Sequence, residues 1–76
     1  MSATVSLEFA FPRAGKPPLF ATATLRLEGQ EMGAFQWSVD HIEGDAKPEE
    51  RSSMEIWLRE EKWAQIAKKF KERLGG

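Results

Sequence analysis

The sequence predicts an α+β domain, residues 1 to 76 forming a three-stranded antiparallel meander packed on one long C-terminal helix (β-β-β-α). Two observations carry that class. Apolar side chains alternate with a period of two through three successive runs up to residue 42, and they recur with a helical period of about 3.6 after residue 52. Gly and Pro clusters fall between these runs and separate the elements.

The first strand is expected over about residues 4–11, where Val5, Leu7, Phe9 and Phe11 alternate with Ser6, Glu8 and Ala10. Pro12 ends it, and the segment Pro12 to Pro18, with Gly and three Pro, suits an exposed connection because proline cannot donate to a ladder. The second strand runs over about 19–28, with Leu19, Ala21, Ala23, Leu25 and Leu27 on one face and Phe20, Thr22, Thr24, Arg26 and Glu28 on the other. A turn over Gly29 to Gly33 leads into the third strand, about 34–42, where Phe35, Trp37, Val39 and His41 alternate with Gln36, Ser38, Asp40 and Ile42. A first turn centred near Gly15 sets Leu7 beside Ala23 and Ala10 beside Phe20. A second turn centred near residue 31 sets Phe20 beside Ile42, Ala23 beside Val39 and Leu25 beside Trp37.

The helix is expected over about 53–74. Ser52 with Glu55 three residues on has the form of a capping box, and Gly75 provides the stop. On a continuous helical wheel Ile56, Trp63, Ile66, Ala67, Phe70 and Leu74 fall within an arc of about 100°, the width of a core-facing stripe. Small Ala21 and Ala23 leave room for that stripe against the sheet. As core residues, Trp37 and Trp63 should each cost about 3–5 kcal/mol when cut to alanine.

Composition narrows the function. A chain that is 41% hydrophobic, with five Phe and three Trp, has the aromatic area of a folded domain, and 76 residues support one core. With no Cys there are neither disulfides nor thiolate metal sites, which suits a reducing, cytoplasmic setting. No stretch is apolar enough to span a membrane, and the N-terminus lacks the basic and apolar regions of an export signal. Net charge is −1, so the global positive field of most nucleic-acid binders is missing.

Chemistry-bearing clusters are few. Asp40, His41, Glu43 and Asp45 are close in sequence, but alternation sends Asp40 and His41 to opposite faces, and the chain has one His in all, so no metal site is expected. His41 has no evident nucleophile to activate, and Gly29 and Gly33 bracket a turn between strands rather than open a helix as a phosphate loop would. Neither a catalytic residue nor a cofactor is therefore expected. Lys68, Lys69, Lys71 and Arg73 form a basic run that offers phosphate contacts; its plainer role is to face the negative end of the helix dipole.

Misplaced apolar groups are more informative. Ala10, Phe20 and Ile42 are expected in a row on the outer sheet face, and Met54, Trp57 and Leu58 lie off the predicted core stripe. Exposed aromatic and Met clusters characterise interface cores, so Phe20, Ile42, Met54, Trp57 and Leu58 are the candidate partner-binding residues. The leading expectation is a small non-enzymatic protein-binding module, a regulator, inhibitor or accessory subunit that occupies the surface of another protein or of its own copy as a homodimer. In size and style it is like phage and mobile-element regulators, including inhibitors of bacterial defence complexes. The competing readings are a nucleic-acid-associated protein using the basic run and an accessory subunit of an enzyme.

Overall fold

A computed structural model describes residues 3 to 75. Three strands, β1 (Thr4–Arg13), β2 (Lys16–Glu31) and β3 (Ala34–Gly44), form an antiparallel sheet in the order β1-β2-β3, followed by two helices, α1 (Pro48–Glu61) and α2 (Trp63–Arg73). The α+β class and the meander are as expected; the single long helix is not.

The strands run further than their alternation suggested. β1 and β2 meet in a tight turn at Ala14 and Gly15, with Gly15 at a φ of 70° that favours glycine, and the ladder shifts register once beside it, between Phe11 and Arg13. Pro12 is accommodated because β1 is an edge strand, and Pro18 lies beyond the end of β3, whose last pairing is Gly44 with Ala21. The register of this hairpin is the expected one, Leu7 opposite Ala23 and Ala10 opposite Phe20.

The second hairpin departs from expectation. Its turn is Met32-Gly33, with φ of 53° and 80°, and Glu31 pairs with Ala34. Two irregularities follow, one leaving Glu28 of β2 unpaired and one leaving Asp40 of β3 unpaired, so that Leu27 faces Trp37, Leu25 faces Val39 and Ala23 faces Ile42. An extra residue reverses the facing of everything beyond it. Ile42 therefore points into the core, 4% exposed, and is not a neighbour of Phe20 on the outer face. At the end of β3 Gly44 holds φ 143°, and a Cβ there would come within 3.0 Å of the Phe20 carbonyl oxygen and 3.2 Å of the Ala21 Cβ. Only glycine fits so close to β2.

α1 starts a turn earlier than Ser52. Pro48 supplies the preset φ of a first helical residue, and the Glu50 carboxylate accepts the Lys47 main-chain N–H at 3.1 Å. That is half of a capping box, since a lysine side chain has no acceptor to complete it. The helix axis breaks at Lys62, at φ −120° and ψ 10°. The reason lies in the apolar pattern: Met54 and Leu58 centre one stripe and Ile66 and Phe70 another, and at 100° per residue the two stripes diverge by about 120° around a straight rod. A sheet on one side cannot bury both unless the rod bends. With the bend, all four are fully buried, whereas Ile56, Trp63 and Leu74, expected in the core, are exposed. Gly75, at φ 79°, ends α2 as expected.

The core lies between the sheet and the helices. Trp57 on α1 packs against Phe9 and Phe11 of β1, each with ring centres 5.7 Å away, and Phe70 on α2 packs against Phe35 of β3 at 5.8 Å. Among the described residues no polar side chain is buried. Both helices cover one face of the sheet, and the other is left open.

Candidate interaction surface

On the open face the even-numbered residues of β1 from Thr4 to Ala10 and of β2 from Phe20 to Glu28 point away from the core. Phe20 is among them, 75% exposed and directly opposite Ala10. Because β3 ends in a glycine beside Ala21, no side chain from that strand covers Phe20. The result is an open depression of about 670 Å³, floored by backbone and lined by Ala10, Phe20, Glu8, Thr22, Glu43 and Gly44. Apolar area at its centre and two carboxylates at its rim favour a partner group that is itself apolar with positive charge nearby.

Further along the same face Arg26 lies 3.4 Å from Glu28 and 3.9 Å from Asp40, and the Ser38 hydroxyl donates to Glu28 at 2.6 Å. That hydroxyl, with the Arg26 charge, holds the Glu28 carboxyl below the ordinary glutamate range. These groups are about half exposed, so the cluster orders the surface more than it stabilises the fold. The bulge at Asp40 turns His41 outward, 3.6 Å from Glu43. Among the described residues no three carboxylate or imidazole groups converge on one point.

The five predicted partner-binding residues separate. Phe20 stands on the surface. Ile42, Met54 and Leu58 are core, turned inward by the β3 bulge and by the bend at Lys62, and the exposure expected of them is not there. Trp57 is partly buried between the β1 aromatics and the Lys62 ammonium, which sits 5.5 Å from its ring. The basic run divides as well: Lys69 and Arg73 border a shallow groove with Thr4, Val5 and Ser6, while Lys68 and Lys71 are exposed elsewhere on α2.

Exposed apolar residues that sequence reasoning missed are Met32, Ile56, Trp63 and Leu74. Met32 carried a signal, because a residue preceding glycine between two alternating runs marks a two-residue hairpin tip. Ile56 and Trp63 carried none that a straight helical wheel reveals. No helix among the described residues is long and apolar enough to cross a membrane. No protein-family model, curated protein or solved structure matches the chain.

Proposed function

We propose that this protein is a small non-enzymatic binding module that occupies the surface of a partner protein through the Phe20 depression, as a regulator, inhibitor or accessory subunit. The observation that carries the reading is an aromatic ring 75% exposed beside Ala10 on a sheet face that is polar elsewhere, next to a depression large enough to seat a partner side chain. The Phe20 backbone is held in the β1–β2 ladder opposite Ala10 before binding, which lowers the backbone ordering cost of association. A cysteine-free chain of this kind suits a reducing cytoplasm.

The test is Phe20→Asp in the full chain, used as bait beside the wild type in parallel co-purifications. The exposed position predicts a folding stability within about 0.5 kcal/mol of wild type, together with loss of the partner recovered by the wild type. Equal recovery by both proteins would remove Phe20 from the interface, and a loss of several kcal/mol would show that the ring is covered in solution.

A further inference from the structure

The geometry points to a homodimer made by the β1 edge, two copies pairing antiparallel about a two-fold axis at Leu7 to give a continuous six-stranded sheet. This goes beyond the Phe20 reading and does not depend on it.

The orientation of β1's backbone follows from one hydrogen bond. Leu27 N–H donates to the Ala3 carbonyl at 2.8 Å, in register with the Val5–Leu25, Leu7–Ala23 and Phe9–Ala21 pairs. In an antiparallel ladder such hydrogen-bonded pairs alternate. The odd residues of β1 thus bond to β2, and Thr4, Ser6, Glu8 and Ala10 aim their N–H and C=O groups at the free edge. Pro12, next in that series, has no N–H to offer and closes the run.

The two edges of the sheet are treated differently. At β3, Leu27 bonds toward β1, so its cross-strand neighbour Trp37 turns its carbonyl to the outer edge, where the Arg59 guanidinium donates to it at 3.0 Å and stacks over the Trp37 ring at 4.1 Å. The Asp40 bulge interrupts that edge again. A blocked and bulged edge is how sheets avoid pairing with other chains. From Thr4 to Ala10 β1 has no bulge, and its one charge there is Glu8; Lys69, Glu72 and Arg73 of α2 flank the edge across a groove of about 360 Å³ beside Thr4, Val5 and Ser6.

The occupant is a second copy because the edge is self-complementary. With the axis at Leu7, Thr4 pairs with Ala10 and Ser6 with Glu8 of the other copy, so every outward N–H and C=O from Thr4 to Ala10 finds a partner. Neither a like-charge Glu8 pair nor Pro12 falls in that ladder. On the helix side Leu7 meets Leu7 and Val5 meets Phe9, extending the apolar layer. The chain's accessible surface, 5349 Å², exceeds the roughly 4,700 Å² expected of a monomer of 8.6 kDa, which leaves area for association. The two Phe20 depressions would then lie on one face, about 25 Å apart by strand spacing and rise.

The test reads dimer dissociation of the full chain by sedimentation or light scattering over a dilution series, for wild type, Ser6→Lys and Ser6→Glu. Position 6 is exposed, so both variants fold. Opposite Glu8 of the other copy, Ser6→Lys should tighten and Ser6→Glu should weaken the dimer, each by about two- to thirtyfold, because the pair occurs twice. Amide exchange in the wild-type dimer should slow at Thr4, Ser6, Glu8 and Ala10 as concentration rises. A monomer at all concentrations overturns the proposal. So does a dimer whose affinity ignores the charge at position 6, or whose newly slowed amides lie on β3. Dissociation by Phe20→Asp with indifference to position 6 would assign self-association to the open face instead.

Discussion

Met32 holds a left-handed backbone conformation, φ 53°, with its side chain 99% exposed at the tip of the second hairpin. Such a conformation costs an ordinary side chain about 1–2 kcal/mol, and Asn-Gly is the preferred filling of a two-residue hairpin turn. Met32→Asn is therefore expected to raise stability by roughly 0.5–1 kcal/mol, seen as a higher denaturant midpoint at an unchanged slope. A lower midpoint would mean that the Met32 side chain makes a contact worth more than the strain. Asp40 acts at the same scale with a larger consequence. As the extra residue of a bulge, it moves Ile42 from the outer face to the core. Phe20 needed no such correction, because the one register shift of the first hairpin, between Phe11 and Arg13, lies next to the turn, and from Leu19 onward the pairing is the expected one.

Among the elements, the helical segment shows how two apolar stripes are reconciled. Met54 and Leu58 look misplaced on a straight rod and Trp63 looks central; the bend at Lys62 inverts both. Leu58→Ala should accordingly cost about 2–5 kcal/mol, as a fully buried large-to-small change. Trp63→Ala, at a residue 64% exposed, should cost under about 1 kcal/mol rather than the penalty of a core tryptophan. Chemical denaturation of the two variants decides between a bent and a straight helix, since a straight one reverses the ranking. The capping signals show the same limit of local reading. Ser52 and Glu55 match a helix start, but Pro48 and Glu50 open the helix first, because Pro48 fits the first helical position and the Glu50 carboxylate accepts the Lys47 N–H.

For the molecule as a whole, the described residues measure 40 × 18 × 17 Å, a narrow body whose sheet is covered on one side alone. Association is the usual remedy for so small a core. A dimer that folds as a unit has a midpoint that rises with protein concentration, so the thermal midpoint of the wild type should climb across a hundredfold concentration series and that of Ser6→Glu should climb from a lower start. A concentration-independent midpoint for the wild type would indicate a monomer that is stable alone. The amino-acid order settled what depends on near neighbours. That comprises the α+β class, the three alternating strands in meander order, the first hairpin's register and the exposure of Phe20, because period and turn chemistry are local properties. Packing in three dimensions settled the rest: the inward turn of Ile42, the bend at Lys62, the burial of Met54 and Leu58, and the closing of the β3 edge by Arg59. Each of these depends on a bulge or on two surfaces meeting, and neither leaves a repeat in the sequence.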